Sequence, residues 1–332
     1  MKNLVKSILG LTASKNRELK ARLDRSLTVF VFHDVTDEPS TFSRECGLAV
    51  NPQQFEFQIR FVAEAFNVVS LDQLLSGKLP QRAALITFDD GLQSIFRQAL
   101  PILHRLRLPF TVFLNMGPVF GDPFWSAQVV YLCHHVPGFK EFLMAREGRM
   151  LLEECYFACS PAVVEEWENS HGNDYLKALP SYMGSYVTWE ELKAVDSNSL
   201  VTFGNHLYNH YSMRRLADSR NEAEFFANAD ALSSLRGTRP VFAFPFGRPG
   251  LSFTRRHIRL LLSWGQKRLF TGLSLLNEDP EGPLLHRVSL TDWHQDRLRV
   301  WFEISRAARN GLGRTPAEVA SLENQRELIL TS

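Results

Sequence analysis

The chain has 332 residues, a net charge of +1 and a hydrophobic content of 45% that includes 25 Phe. The length is above average for one domain but usual for a single α/β barrel. A net charge this small creates no global field that would attract nucleic acid, so we exclude nucleic acid as a partner. The four cysteines lack the spacing of a zinc ribbon, and we expect reduced, buried thiols.

Residues 1–26 form a basic segment with a weak apolar pattern. The segment lacks the continuous apolar centre of a secretory signal, and no run in the chain is long enough for a transmembrane span. Two interpretations stay open: a basic amphipathic helix lying on an anionic membrane, and an ordinary solvated helix or frayed end. We expect a cytoplasmic protein without a transmembrane span, in which this segment is a candidate for peripheral contact with the inner membrane face.

From residue 28 onward, apolar strand-like runs alternate with helical patterns. Helix starts are marked at Asn51, which Pro52 follows, and at Ser70 and Thr188, which have Gln or Glu three residues later. The predicted strands cover residues 28–32, 68–69, 83–88, 110–114, 200–203, 241–244, 269–271 and 284–290, and predicted helices include residues 92–106 and 298–309. This alternation predicts an α/β fold with a mainly parallel sheet wrapped by helices.

The alternation stops between residues 117 and 186, where the chain is irregular and rich in aromatic residues. We interpret this stretch as a helical insertion on a barrel loop, packed beside the mouth of the active site. The predicted barrel covers residues 27–310 and includes the insertion. Residues 311–332 are predicted to be a polar, loosely held tail.

Two groups of polar residues follow predicted strands. Asp89, Asp90 and Gly91 follow the strand at 83–88, and neighbouring acids that leave a strand need not point the same way. His206 and His210 lie four residues apart, a spacing that suits two ligands of one metal. Alone, an Asp-Asp-Gly run is usually a turn, and paired histidines are usually ordinary surface or core residues. Their common position at strand ends favours a metal site.

His33 and Pro245 also follow predicted strands within a few residues, and barrel active sites lie at the carboxyl ends of strands. Two imidazoles and one carboxylate leave a divalent metal with an open position for water. A second carboxylate could then accept a proton from water, and an opposing histidine could protonate a departing amine. The pattern predicts a mononuclear metal hydrolase acting on an amide or ester. The remaining histidines, which lack such placement, stay unassigned: His104, His134, His135, His171, His257 and His294.

These residues resemble motifs of the polysaccharide deacetylases, the NodB-homology group of carbohydrate esterases. Residues 87–91 (TFDDG) resemble the first motif of that family, residues 206–210 (HLYNH) the second, and residues 242–247 (FAFPFG) the third. Segments outside these motifs also resemble the family, at residues 32–35, 69–74 and 188–192. The resemblance spans residues 28 to 290, apart from the insertion.

The resemblance implies a distorted (β/α) barrel that removes acetyl groups from N-acetylated sugars with one divalent metal ion, for which Zn²⁺ is expected. Asp89 would be the catalytic base, and Asp90, His206 and His210 would bind the metal. The implied substrate is an amino-sugar unit of a polysaccharide, an oligosaccharide or a glycan precursor. Two alternatives are a small-molecule amide hydrolase on the same scaffold and a carbohydrate-binding protein without turnover.

Two histidines are candidates for the general acid. A late Leu-x-His segment is common in the family, and His286 could match it. A permuted branch uses an early histidine, which His33 matches better. We favour His33 because its strand leads directly toward the barrel mouth.

Substrate contacts are assigned to Pro245, Phe246 and Arg287. Many relatives have an arginine in the third motif that steadies the catalytic base, and this chain has Phe244 there. Arg287 and Arg248 are the candidates to take the place of that arginine beside the catalytic base.

Overall fold

The computed structural model describes residues 17–147 and 159–310. Its strands are β1 Thr28–Phe32, β2 Asp34–Val35, β3 Ala49–Val50, β4 Asn67–Val68, β5 Ala83–Phe88, β6 Phe110–Leu114, β7 Val201–Asn205, β8 Thr238–Ala243, β9 Arg268–Phe270, β10 Leu284–Leu285 and β11 Arg287–Ser289. Its α-helices are α1 Arg17–Arg25, α2 Thr41–Glu45, α3 Pro52–Ala65, α4 Leu71–Leu75, α5 Leu100–Leu106, α6 Met116–Val119, α7 Trp125–His135, α8 Phe139–Glu147, α9 Pro161–His171, α10 Leu179–Met183, α11 Trp189–Val195, α12 Asp218–Ser233, α13 Arg255–Ser263 and α14 Arg297–Asn310. A π-helix covers Ile95–Ala99, and 3₁₀ helices cover Asp174–Lys177 and Met213–Arg215.

The main sheet is parallel and has the strand order β10-β9-β8-β7-β6-β5-β1-β11, with β4 added beside the first half of β5. The two ends of this path, β10 and β11, are separated in the sequence by His286 alone. The sheet therefore returns on itself, which confirms the predicted distorted (β/α) barrel. β2 and β3 form a separate parallel pair.

The barrel strands are buried on both faces, as expected for parallel strands covered by helices. Along β1 and β5, successive side chains alternate between two clusters. Val29 and Leu85 pack inside the barrel, whereas Phe30 and Ile86 pack under the surrounding helices. This alternation fixes the register of the strands and hence the direction in which the residues after each strand point.

The final barrel strand differs from its prediction. Residues 284–290 were expected to form one strand, but the strand breaks at His286. The two parts pair with different neighbours, β10 with β9 and β11 with β1. Asn277 fills the break: its Oδ1 accepts from His286 N at 2.7 Å. Asn277 Nδ2 donates to the carbonyl oxygens of His286 at 2.9 Å and Leu27 at 3.1 Å. The Asn277 side chain thus provides hydrogen-bond partners for backbone groups that the strand pairing leaves unpaired where the barrel closes.

Three predicted helix starts are confirmed. Asn51 accepts from Gln54 N, and Ser70 and Thr188 each form a reciprocal capping box. The helix predicted over residues 92–106 instead begins as a π-helix. Pro101 has no N–H to donate and would crowd the carbonyl four residues earlier in a regular α-helix.

The described part of residues 117–186 contains α7 to α10. Of these helices, α7, α8 and α9 pack around an aromatic cluster that includes Trp125, Phe139 and Trp167. α7 and α10 contact each other, and both contact α2, which belongs to the barrel. The insertion is thereby joined to the barrel through α2. Cys155 lies outside the described residues.

The predicted N-terminal segment divides into two parts. Residues 1–16 lie outside the described residues, as does the predicted tail at 311–332. Residues 17–25 form α1, which packs against α14: Leu23 is fully buried and Arg22 pairs with Glu278. None of the described helices combines the length and apolar character needed to cross a membrane.

We expect Asn277→Ala to lower the free energy of unfolding by about 2–3 kcal/mol, because it leaves buried backbone groups at the barrel closure without partners. Urea denaturation followed by circular dichroism measures the change. The matched control is Asn67→Ala, since Asn67 is exposed and donates a single bond to Gln81 O. Equal effects of the two substitutions would contradict the role of Asn277 in closure.

Candidate metal centre and active site

The turn after β5 separates two neighbouring carboxylates. Asp90 has φ of 71° and Gly91 has φ of 81°, and a Cβ at position 91 would lie 2.8 Å from Leu114 Cδ2. Only glycine suits that position, since it has neither the left-handed penalty nor the clash. The turn directs Asp90 toward the two histidines after β7 and leaves Asp89 facing Arg287.

The rings of His206 and His210 are oriented by partners on their outer nitrogens. His206 Nδ1 lies 2.7 Å from Ala243 O, so the proton of the neutral ring belongs on Nδ1 and the Nε2 lone pair faces Asp90. His210 Nδ1 lies 2.7 Å from Ser126 Oγ, at the start of α7. The insertion therefore supports one of the two imidazoles directly.

The loop that carries these histidines is held by polar side chains. Asn205 Oδ1 accepts from Leu207 N at 2.9 Å and from Asn228 Nδ2 at 3.0 Å. Glu224 Oε2 accepts from Asn209 N at 3.0 Å. These contacts fix the backbone between the two imidazoles, as the supporting residues of a metal site do.

Asp90, His206 and His210 bring their donor atoms to within 4.8 Å of one another. The Nε2 atoms of His206 and His210 lie 3.4 Å and 3.3 Å from Asp90 Oδ1. Ligands about 2.0–2.1 Å from a tetrahedral ion are about 3.3 Å apart, so these separations suit one ion. Asp90 Oδ1 is also buried with no hydrogen-bond partner among the described residues. The imidazole lone pairs and the Asp90 carboxylate are all electron donors, so a cation between them would stabilise their close approach. The residues present fit a divalent metal.

The pKa values of His210 and Asp90 agree with metal binding. Burial lowers the pKa of His210 to about 3, against the opposing charge of Asp90, so its ring is neutral at pH 7. Burial raises the pKa of Asp90, but His210, His206 and His33 outweigh it and hold that pKa below its usual value. A neutral imidazole and an ionised carboxylate are the forms in which these residues bind metals.

Asp89 forms a bidentate ion pair with Arg287, with distances of 2.6 Å and 2.7 Å. Arg287 also donates from Nε to Thr271 O and is only 3% exposed. Burial raises the pKa of Asp89, but Arg287, His206 and His33 together outweigh it and keep that pKa below its usual value. Arg287, rather than Arg248, therefore lies against Asp89, while the Phe244 ring stacks on Phe253.

The two candidate acids lie in different surroundings. His33 Nε2 is 3.9 Å from Asp89 Oδ2, and its side chain is 26% exposed. His286 Nδ1 lies 2.8 Å from Thr271 Oγ1, at the break between β10 and β11. His33 thus lies between the buried carboxylate and solvent.

The segment after β8 brings Phe246 to the site. The Phe246 ring is half-buried and its centroid lies 4.8 Å from that of His210. Pro245 is buried. Phe246 has a φ of 62°, which is uncommon for a residue with a large side chain.

Sequence reasoning missed Ser126, Phe124 and Tyr186. The Phe124 ring contacts both His210 and Tyr186, with centroid distances of 5.0 Å and 5.1 Å. Tyr186 Oη is buried and has no hydrogen-bond partner in the part of the chain that the structure describes. No local signal marks these residues, because their roles depend on how the insertion packs.

Comparisons of the sequence and of the structure with known proteins both find deacetylases. The model of the family described as polysaccharide deacetylase matches residues 76–127, which contain Asp89 and Asp90. The poly-beta-1,6-N-acetyl-D-glucosamine N-deacetylases of Staphylococcus aureus strains MSSA476 and MRSA252 are each 31% identical over 87 residues. These matches cover 25% of this chain and 30% of those proteins, so the chain matches less than a third of the length of these curated relatives.

Two solved structures share the fold. IcaB from Ammonifex degensii has a TM-score of 0.56 and 20% identity, covering 84% of this chain and 97% of that one. The Streptococcus pyogenes deacetylase PplD, solved in complex with acetate, has a TM-score of 0.56 and 14% identity, covering 84% and 98%. At these identities the likeness concerns the barrel fold. In sequence, the matched segment at residues 76–127 shows that this part of the chain is similar to the polysaccharide deacetylase family, in agreement with the motifs at residues 87–91 and 206–210.

Proposed function

We propose that this chain is a metal-dependent hydrolase that removes N-acetyl groups from amino-sugar units. The observation that supports this most strongly is the buried donor triad of Asp90, His206 and His210 with a second carboxylate, Asp89, held beside it by Arg287. One set of groups can hold a cation while the other stays available for proton transfer. This division of labour suits amide hydrolysis.

We infer Zn²⁺ as the preferred ion, because two imidazoles and one carboxylate are typical zinc ligands that leave a position open. A bound divalent ion would polarise the acyl carbonyl and make water a better nucleophile. Asp90, His206 and His210 would hold it. Because those three side chains are nearly inaccessible to solvent, they also exclude bulk water from the reacting groups.

Asp89 acts as the general base in this proposal. Arg287 keeps Asp89 ionised and fixes both of its oxygens, so the carboxylate can accept a proton from the attacking water. His33 then donates a proton to the departing amine of the sugar. Its distance of 3.9 Å from Asp89 Oδ2 and its partial exposure suit a group that meets both the reacting centre and the incoming substrate.

The substrate class is inferred from the family and the relatives. The matched Staphylococcus aureus proteins are named for a polymer of β-1,6-linked N-acetylglucosamine. We propose an N-acetylated glycan of this kind, with Phe246 and Pro245 forming part of the sugar contact. An aromatic ring that is half-buried beside a reactive centre suits the apolar face of a sugar.

Substitution of the neighbouring acids tests the function. We expect Asp90→Ala to lose both the central metal and activity, and Asp89→Asn to retain the metal and lose turnover, because the acids have different roles. The measurements are metal content and acetate release from β-1,6-linked N-acetylglucosamine oligomers, with chelator-treated and Zn²⁺-restored wild type as references. Full turnover by Asp89→Asn would refute its assignment as the base. Absence of acetate release by metal-loaded wild type from any N-acetylated glycan in a panel would refute the proposed function.

The two candidate acids can be separated kinetically. We expect His33→Ala to lower the rate of acetate release by about 10²–10⁴-fold, the usual loss for a general acid. The matched variant His286→Ala removes a histidine that bonds to Thr271, and we expect a much smaller change. A larger loss in His286→Ala than in His33→Ala would reverse the assignment.

The buried ion pair makes a prediction for stability. We expect Arg287→Gln to lower the free energy of unfolding at pH 7 by about 3–5 kcal/mol, because Asp89 is left as a buried, unpaired charge. The matched control is Arg297→Gln, which breaks an exposed pair with Glu64 and should cost less than about 1 kcal/mol. Urea denaturation measures both values. Similar small losses would show that Asp89 does not depend on Arg287.

A further inference from the structure

A second group of metal-binding side chains lies away from the barrel centre. Glu45 ends α2, and His134 and His135 end α7. His134 Nδ1 lies 3.0 Å from Glu45 Oε2, and His135 Nε2 lies 3.1 Å from Glu45 Oε1. One donor atom from each residue lies within 4.8 Å of the others. We call these three residues the peripheral cluster.

The peripheral cluster is supported by neighbouring aromatic residues. Tyr182 Oη donates to Glu45 Oε2 at 2.6 Å, and the Tyr182 ring contacts the ring of His135 at a centroid distance of 5.3 Å. The Tyr131 ring also contacts His135, at a centroid distance of 5.1 Å. A hydroxyl that bonds a ligating carboxylate and rings that fix an imidazole are typical supports of a metal site.

The peripheral cluster is partly accessible to water. The side chains are 26% exposed for Glu45, 21% for His134 and 38% for His135, so water has access to complete the coordination of an ion.

We propose that Glu45, His134 and His135 bind a second divalent transition-metal ion, such as Zn²⁺ or Ni²⁺. Two imidazoles and one carboxylate are the same donor set as in the central triad, and imidazole ligands select these ions over Mg²⁺ and Ca²⁺. The separations of 3.0 Å and 3.1 Å are close to the edge of about 3.3 Å expected around a tetrahedral ion. A small outward movement of the partly exposed imidazoles would admit it.

This site would connect the insertion to the barrel. α2 belongs to the barrel, and α7 carries the peripheral cluster at its end and Ser126, which contacts His210, at its start. At 1.5 Å per residue, Ser126 and His135 are about 14 Å apart along the helix. An ion bound to both α2 and α7 would therefore fix the helix that supports a ligand of the central triad.

Counting bound ions tests the proposal. Chelator-treated full-length protein is titrated with Zn²⁺ by isothermal calorimetry, and Co²⁺ absorption reports the ligand environment. We expect two ions for the wild type, one for Asp90→Ala, one for the double variant His134→Ala/His135→Ala, and none for the combination. His104→Ala, which removes an exposed histidine from α5, is the matched control and should still bind two.

Glu45→Gln provides a second line of evidence. The amide keeps the shape of Glu45 and an acceptor for Tyr182, so the fold should persist while the affinity of the peripheral ion falls at least tenfold. This variant decides the matter if the double histidine variant does not fold by circular dichroism. Two results would overturn the proposal: a wild type whose only bound ion disappears in Asp90→Ala, or unchanged affinity for the second ion in Glu45→Gln.

Discussion

The ion pair between Arg287 and Asp89 is the interaction on which the rest of the site depends. Arg287 is the first residue of β11, directly after the break at which the barrel closes, and Asp89 follows β5. Closure therefore brings a guanidinium to one of two adjacent carboxylates and leaves the other beside the histidines. Without this division, Asp89 and Asp90 would be two like charges in one buried space, and one of them would be protonated.

Strain in the backbone is concentrated at the same place. Among the described residues, six non-glycine residues have positive φ, and four of these belong to the site: Asp90, Leu207, His210 and Phe246. Such conformations cost about 1–3 kcal/mol each and persist only where the surroundings enforce them. Here the enforcing contacts are buried hydrogen bonds, such as that from Leu207 N to Asn205. The fold thus fixes the backbone that carries the candidate metal ligands.

The sequence was sufficient to predict the barrel and the residues at its strand ends. Asp89, Asp90, His206 and His33 each follow an apolar run that forms a strand, so a local pattern determines where they lie. The choice between Arg287 and Arg248 could not be made in the same way, because it depends on how β11 pairs with β1 across almost the whole chain. The break at His286 was also missed, since hydrophobicity does not report that a strand changes neighbours.

The insertion was the least predictable region. Adjacent histidines at the end of a helix, such as His134 and His135, look like ordinary surface residues until Glu45 is seen to approach from another helix. Ser126 gives no signal at all in the sequence, yet it bonds to His210. A chimaera that exchanges this segment for that of a relative would consequently alter the environment of an imidazole in the barrel as well as the outer wall. Grafting experiments on this chain should transfer Ser126 and His210 together.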